Sequence, residues 1–382
     1  MLKRIFNIIL TTGILSFLVA ACVFPVTDFV QKDATSFITI EGDITNEVGT
    51  SKIRITNSAN RLQSVLMLPV IKATVYVTDE KGVQTIFKEG TVTGTYLPPA
   101  GFVGKVGSTY QLYIKTLLGT EYVSDLETMN PVPALENVFS QFETYDQYAK
   151  GDPKRVGWSI YLDFKDNDRE GDFYQWNWKH YEKIQICATC TGGGLWNFTK
   201  NECNIPRTPN DQIWNFQCDG NCWDIAWNNE INVFSDVLTN GQRIVGKQVA
   251  RVPFDGYSDY YFRLEQRAIT KSVFTYNQSI ISSVQSNGSM FDVPAETKFS
   301  LNIKSKTNPS ERILGVFNVY SVAKKIFFIN RSKNVPQGES ASVSPMIGDV
   351  YTCPAGAVGC QERVPCFESP TRTKITPEGW NL

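Results

Sequence analysis

Histidine is almost absent from this 382-residue sequence, in which His180 is the only one. Many serine and cysteine hydrolases take their general base from a histidine, and many catalytic metal sites use two or three. The sequence therefore excludes those enzyme classes. A glycosidase needs a pair of carboxylates, but no pair stands out among the 38 acidic residues. We expect a non-enzymatic protein in which His180 is a packed or surface residue.

An excess of one charge and long apolar runs are also missing. The 37 Lys and Arg residues nearly balance the 38 Asp and Glu residues, and no long run of either sign occurs. That balance gives no electrostatic footprint for binding nucleic acid. The apolar run at residues 5–20 is interrupted by polar residues and is too short to span a bilayer comfortably.

The first 22 residues predict export and lipidation. Lys3 and Arg4 precede the apolar run, which ends in the sequence Leu-Val-Ala-Ala-Cys at residues 18–22. This order is typical of a secretory signal, and the small residues before Cys22 resemble the lipobox of bacterial lipoproteins. We expect residues 1–21 to be removed as a signal peptide and Cys22 to carry palmitate-type acyl chains, with residues 22–36 as the lipidated tether. The alternative is an ordinary secretory signal cleaved near Ala21.

Val23 bears on the final location of the protein. In the enterobacterial sorting rule, an aspartate after the lipidated cysteine retains a lipoprotein at the inner membrane, so Val23 favours the outer membrane. Residues 23–27 lack the acidic tract that usually accompanies surface export. We nevertheless expect a lipid-anchored protein at the cell surface rather than at the periplasmic face, with no cofactor besides the lipid at Cys22.

Eight further cysteines predict a disulfide framework. They form two clusters: Cys187, Cys190, Cys203, Cys218 and Cys222, then Cys353, Cys360 and Cys366. An exported chain with an even number of cysteines is expected to pair them. Because both clusters have an odd number, full pairing needs at least one bridge between the clusters, which would fix the tail to the middle of the chain. Two alternatives are a four-thiolate zinc site around the C-x-x-C spacing of Cys187 and Cys190, and a redox pair at the same spacing.

Short alternating runs separated by turn residues predict a mainly β fold. These runs are residues 38–44, 51–56, 73–78, 84–87, 95–97, 110–114 and 121–124. Their number and spacing are typical of an immunoglobulin-like antiparallel sandwich. We expect this sandwich to span residues 37–130 and to end at the proline-containing linker of residues 129–133.

Residues 136–382 predict a larger β-rich (α+β) domain braced by disulfides. Its predicted strands are residues 157–164, 173–178, 241–251, 257–267, 299–303, 314–320 and 325–330. Apolar residues recur near helical spacing in residues 270–285, which predicts one amphipathic helix. Residues 187–222 form a cysteine-rich insertion, whose aromatic residues make either a small core or an exposed contact surface. The tail, residues 350–382, should be a coil held by a disulfide.

The turn between the first two of these strands is acidic. It contains Asp163, Asp166, Asp168 and Asp172. Oxygen-rich loops bind Ca²⁺, but these residues lack the spacing of an EF-hand loop. A calcium site and a plain polar turn both remain open.

Several segments together resemble one known family. They are residues 40–45, 73–79, 98–104, 107–110, 260–265, 288–294, 314–317 and 377–380. The chain is similar to a large Bacteroidota family of outer-membrane lipoproteins that is known only as a domain of unknown function. Members are commonly encoded beside SusC-like TonB-dependent transporters, and the family supplies no catalytic motif.

The resemblance implies a function based on protein–protein interaction. We expect a binding or accessory subunit of a SusC-like TonB-dependent transporter. A structural subunit of a larger outer-membrane protein assembly or secretion machine is the alternative, and a surface polymer hydrolase is a third.

Overall fold

The computed structural model describes residues 36–61, 64–144, 156–204, 211–285, 299–333, 335–341, 349–350 and 362–380. The predicted signal peptide, Cys22 and the tether up to residue 35 lie outside the described residues, as do Cys353 and Cys360. Within these ranges the chain is mainly β with one helix, which confirms the predicted fold class. Within the described residues, no helix is long and apolar enough to cross a bilayer.

The bounds of the elements in the first half of the chain are β1 Ile38–Thr45, β2 Lys52–Arg61, β3 Ser64–Pro69, β4 Thr74–Asp79, β5 Gln84–Glu89, β6 Thr95–Leu97, β7 Thr109–Lys115, β8 Glu121–Ser124, β9 Glu127–Thr128, β10 Leu135–Thr144, β11 Val156–Lys165, β12 Phe173–Lys183 and β13 Ile186–Cys190. Those of the second half are β14 Trp196–Asn197, β15 Glu202–Cys203, β16 Trp214–Asp219, β17 Trp223–Trp227, β18 Asn232–Ser235, β19 Arg243–Pro253, β20 Tyr260–Ile269, α1 Lys271–Gln285, β21 Ile303–Ser305, β22 Ile313–Ile329, β23 Asp349–Val350, β24 Arg363–Pro365 and β25 Arg372–Thr373.

Strands β1 to β9 enclose the first hydrophobic core. Strand β5 pairs with β4 on one side and with β6 on the other, so the strand order β8-β7-β4-β5-β6-β2-β1 is continuous. Alternate residues along β1 and β7 are buried, as half-buried strands require. The buried residues of these strands, such as Ile40, Ile53 and Leu112, form one cluster, and the arrangement is sandwich-like.

Two strands from much later in the chain complete this first core. Strand β21 pairs with β8, and β22 pairs in parallel with β1 from Ile38↔Ile313 to Thr45↔Tyr320. Ile303 and Phe317 are buried in the same cluster as the residues of β1. Residues 37–130 therefore supply most of this core but not all of it, and the sandwich contains a parallel pair beside its antiparallel ones. The predicted boundary near residue 130 stays a prediction.

Strand β22 also corrects two sequence predictions. Residues 314–320 and 325–330 are predicted as separate strands, but residues 314–329 all lie in one 17-residue strand. The strand runs through the residues between them and changes partner at Tyr320–Ser321, from β1 to β20. Its first half is buried in the first core, and Ile329 near its end is buried in the second. The predicted strand 299–303 is also wrong over most of its length, because β21 begins at Ile303.

The second core lies between two sheets, of which one is a separate three-stranded sheet and the other is the same 16-stranded sheet to which β1 and β2 belong. Strands β10, β11 and β19 form one of them, and β12, β20 and β22 form part of the other. Trp158, Trp176 and Phe262 are buried between them, together with aliphatic residues of β11 and β19. Ring contacts such as Trp158 to Phe254 at 5.1 Å are edge-on, the geometry that aromatic pairs prefer.

Helix α1 matches the helix predicted at residues 270–285. Its residue Val273 is buried in a small cluster with Ile269 and Tyr320. Phe274 packs against Phe173 of β12, with ring centroids 4.8 Å apart. The helix therefore packs across β12, β20 and β22, which are neighbours in the sheet.

Six of the eight candidate cysteines form three disulfides: Cys187–Cys218, Cys190–Cys203 and Cys222–Cys366. The last one joins the two clusters, as the sequence predicts. It closes the longest loop of the three, with a sequence separation of 144, and a cross-link restricts the unfolded chain more when its loop is longer. The pairing leaves no thiolate at Cys187, Cys190, Cys218 or Cys222, so the zinc and redox-pair alternatives are wrong.

The disulfide-linked insertion has a core of its own. Phe216 and the bridged Cys190 are buried in it, and Trp196, Phe198 and Trp214 pack against it. This favours the small-core interpretation of the aromatic residues. The tail is not only coil, since β24 pairs with β16 and β25 pairs with β17. Backbone pairing therefore reinforces the attachment that the Cys222–Cys366 bridge makes.

Candidate functional site

An open groove of about 1320 Å³ lies where the two cores meet. Four segments line it: residues 126–130 around β9, residues 169–173 before β12, residues 235–240 after β18, and residues 270–278 at the start of α1. Ligand sites commonly lie at such junctions between packed units. The groove is therefore the candidate binding site of this protein.

A buried polar cluster fixes the elements at one side of this groove. Glu127 of β9 accepts hydrogen bonds from Asn302 at 2.6 Å and from Ser272 of α1. Asn302 also bonds the backbone of Phe317, donating to its carbonyl at 2.7 Å and accepting from its amide at 3.1 Å. These bonds satisfy buried polar groups and tie β9, α1 and β22 together.

Three buried carboxylates lie beside the groove. Side-chain oxygens of Asp166, Asp172 and Asp236 all lie within 4.8 Å of one another. Asp166 and Asp172 flank the turn between β11 and β12. Asp236 directly follows β18, in which Ser235 pairs with Phe173, so the antiparallel register places Asp236 opposite Asp172. The amide of Asp236 donates to the carbonyl of Asp172 at 3.1 Å, which fixes this arrangement.

The three carboxylates differ in their partners. Asp166 accepts hydrogen bonds from the Tyr174 hydroxyl and from the Gly241 amide at 3.0 Å. Asp172 pairs with Arg169 and accepts from the Asn167 amide group at 3.3 Å. Asp236 is 0% exposed, and both its carboxylate oxygens lack a hydrogen-bond partner among the described residues. Burial raises the pKa of the Asp172 carboxyl, and the nearby Arg169 only partly offsets this.

The four acids singled out in the sequence separate in the structure. Asp166 and Asp172 belong to the buried cluster. Asp163 instead accepts a hydrogen bond from the Gly246 amide at 2.8 Å, on the adjacent strand. The side chain of Asp168 is 94% exposed and lies 3.6 Å from Lys165. Sequence reasoning missed Asp236, because the pairing of β18 with β12 that places it has no local signal beyond the short run Asn-Val-Phe-Ser.

Exposed aliphatic side chains border the groove. Leu126 is 66% exposed, Val237 is 78% exposed and Leu238 is 92% exposed. Leu126 and Val237 line the groove itself, and Leu238 adjoins Val237. We call these three residues the aliphatic rim. Exposed apolar groups that cluster beside a depression often mark contact sites.

His180 is a packed residue. Its ring is buried and stacks on the Tyr260 ring at 3.5 Å between centroids. Nδ1 lies 2.7 Å from the Tyr261 carbonyl oxygen, and Nε2 lies 2.8 Å from a Glu182 carboxylate oxygen. Arg331, also buried, contacts the same carboxylate at 3.4 Å and Asp255 at 2.6 Å. This network holds the end of β22 against β12, far along the sheet from the carboxylate cluster.

The Glu182 carboxylate should make stability depend on pH. Burial alone would raise the pKa of Glu182, but the hydrogen bond from His180 and the charge of Arg331 together hold it below its usual value. A carboxyl whose folded pKa is lowered stabilises the protein above its unfolded pKa, near 4.3, and loses this effect as the pH falls through the folded pKa. We expect Glu182→Gln to cost about 1 kcal/mol at pH 7, a modest value because the side chain is partly exposed.

The cost of Glu182→Gln should shrink as the pH falls below about 4.3 towards the lowered folded pKa, because a protonated Glu182 and a glutamine are both neutral. Urea unfolding of both proteins at pH 7 and pH 3 would measure this. A cost that is equal at the two pH values would show that Glu182 acts through packing and not through its charge.

Comparison with known proteins identifies the family. Residues 25–326 match the family described as a domain of unknown function (DUF4249), and no curated protein matches the chain. The matched range contains every segment that lines the groove and all three clustered carboxylates. The tail strands β24 and β25 lie beyond it. Because the match covers well over half of its length, the chain belongs to the DUF4249 family.

Proposed function

We propose that this protein is a lipid-anchored accessory subunit of a SusC-like TonB-dependent transporter at the outer membrane, where it binds and does not catalyse. The signal-like residues 1–21 and Cys22 support the lipid anchor. The family resemblance supports the association with a transporter barrel. The alternative, a subunit of an outer-membrane assembly or secretion machine, would use the same anchor and differ in its partner.

The observation that carries this proposal is the groove with its aliphatic rim. An open groove of about 1320 Å³ can receive a segment of another protein, and the rim places three aliphatic side chains in solvent beside it. Removing such side chains from water favours association by roughly 25 cal/mol per Å² of apolar surface. The elements behind the groove are held by the Glu127 and Asn302 bonds, so the surface is preformed and little ordering is needed on binding.

The test is co-purification from gently solubilised membranes. We expect the wild-type protein to recover a SusC-like barrel, and the triple variant Leu126→Ser, Val237→Ser, Leu238→Ser to recover at least tenfold less. The matched control is Leu117→Ser with Leu118→Ser, because these leucines are 71% and 94% exposed and lie in the turn between β7 and β8, outside the groove.

Three outcomes would contradict the proposal. The first is that the wild-type protein recovers no barrel. The second is that the rim variant and the control variant lose the barrel equally, since exposed leucines in general would then explain the binding. The third is that wild type recovers assembly or secretion subunits instead, which would favour the alternative.

A further inference from the structure

The carboxylate of Asp236 needs a partner that the described protein atoms do not provide. It is fully buried, both oxygens are without a hydrogen bond there, and its oxygens lie within 4.8 Å of those of Asp166 and Asp172. An ionised carboxylate in such a place is strongly unfavourable unless a proton or a cation neutralises it. The two neighbouring acids make a bare negative charge more unfavourable still.

The local charge balance favours a divalent cation. Three carboxylates carry three negative charges, and Arg169, paired with Asp172, neutralises one of them. Two negative charges remain. Lys165 does not neutralise these two charges, because its ammonium group lies 3.6 Å from the exposed Asp168.

The ligand atoms fit calcium. All three acids offer oxygen, and the cluster contains neither histidine nor cysteine, the usual ligands of zinc. Calcium takes oxygen ligands at about 2.3–2.6 Å, so two ligands of one ion can be up to about 5 Å apart. The carboxylate oxygens of the three acids lie within 4.8 Å of one another, which meets that requirement. Asp236 also lines the open groove, from which water can supply the remaining ligands.

We propose that Asp166, Asp172 and Asp236 bind one calcium ion. The ion joins the turn before β12 to the turn after β18, and these two turns form one wall of the groove. Asp166 and Asp172 keep the hydrogen bonds that orient them, from the Gly241 amide and from Asn167, while Asp236 gains its only partner among the groups described. A second buried oxygen without a partner in the described chain, Oδ1 of Asn240, lies in the same turn as Asp236.

Thermal unfolding of the full-length protein in detergent tests this proposal without any transporter partner. After treatment with EGTA, calcium at a hundredfold excess over its dissociation constant should raise the melting temperature by roughly 3–5 °C. Magnesium at the same concentration should raise it much less, because it demands a smaller and more regular ligand shell. The protein before EGTA treatment should contain about one calcium ion per chain by atomic emission.

Two isosteric variants locate the ion. Asp236→Asn should abolish the calcium response, and in EGTA it should be at least as stable as wild type, because the unpaired buried charge is gone. The matched control is Asp168→Asn, which removes an acid of the same acidic turn whose side chain points to solvent. It should keep the full response.

Several results would overturn the proposal. One is a wild-type protein whose melting temperature does not respond to calcium, in which case a proton neutralises the cluster. Another is an equal response to magnesium, which would remove the assignment to calcium. A third is a control Asp168→Asn that loses the response as Asp236→Asn does. If Asp236→Asn fails to fold, Asp166→Asn replaces it, with calcium affinity expected to fall by more than about tenfold.

Discussion

Gly315→Ala is expected to lower the free energy of unfolding by about 3–5 kcal/mol, which is at the upper end of single-substitution effects. Gly315 lies in β22 at a φ of +90°, and a Cβ there would be 2.1 Å from the carbonyl oxygen of Ile40 and 2.8 Å from its carbonyl carbon. Both atoms belong to the backbone of β1, which pairs with β22 at this point. An alanine therefore forces the two strands apart, besides adding backbone strain of about 1–3 kcal/mol.

Gly338→Ala is the matched control for this prediction. Gly338 has nearly the same φ, +92°, but a Cβ there would meet nothing within 4 Å. Its substitution should cost only the backbone strain, about 1–3 kcal/mol. Chemical denaturation of both variants separates the two contributions. Equal costs for Gly315→Ala and Gly338→Ala would show that the close approach of β1 and β22 does not matter for stability.

The position of Gly315 explains why the expected effect is large. The parallel pairing of β1 with β22 connects the first strand of the described chain to a strand that also pairs with β20 in the second core. Phe317, two residues further, is fully buried, and its backbone is held by Asn302 beside the groove. Displacing β22 therefore disturbs both cores and the groove wall.

Local patterns predicted the elements whose signal lies within a few residues. The alternation of residues 38–44 identified β1, and the helical spacing of residues 270–285 identified α1. The odd number of cysteines in each cluster predicted a bridge such as Cys222–Cys366. In each case the signal is local: a repeat of two residues for the strand, helical spacing for α1, and an odd number of cysteines in each cluster. The tertiary structure agrees with these signals.

Long-range pairing decided what the sequence could not predict. The sequence predicts two strands where the structure has the single strand β22, because nothing in the local pattern shows that one strand changes partner from β1 to β20. Parallel pairing of β1 with a strand so distant in sequence leaves no local mark. The same limit applies to the carboxylate cluster, since Asp166 and Asp172 are close in sequence whereas Asp236 joins them only through the β12–β18 register.

Cys22→Ala is expected to abolish lipidation completely and to move the protein from the membrane pellet to the soluble fraction. Acylation needs the thiol at position 22, and an alanine offers no nucleophile for it. Each buried acyl methylene contributes about 0.8 kcal/mol, and stable anchoring takes more than one chain. The loss is therefore expected to be all-or-none, and not graded like the effect of a packing substitution.

Intact mass spectrometry and membrane fractionation after a carbonate wash check this prediction. Val23→Ala is the control, because it alters the neighbouring residue and keeps the thiol, so it should retain the acyl mass and the membrane location. The two interpretations of residues 1–22 then give different results. If Cys22 is lipidated, wild type and Cys22→Ala differ by the mass of the lipid. If an ordinary secretory signal is cleaved near Ala21, both proteins are cleaved without lipid and both are soluble, and an anchored role beside a transporter barrel would have to be abandoned.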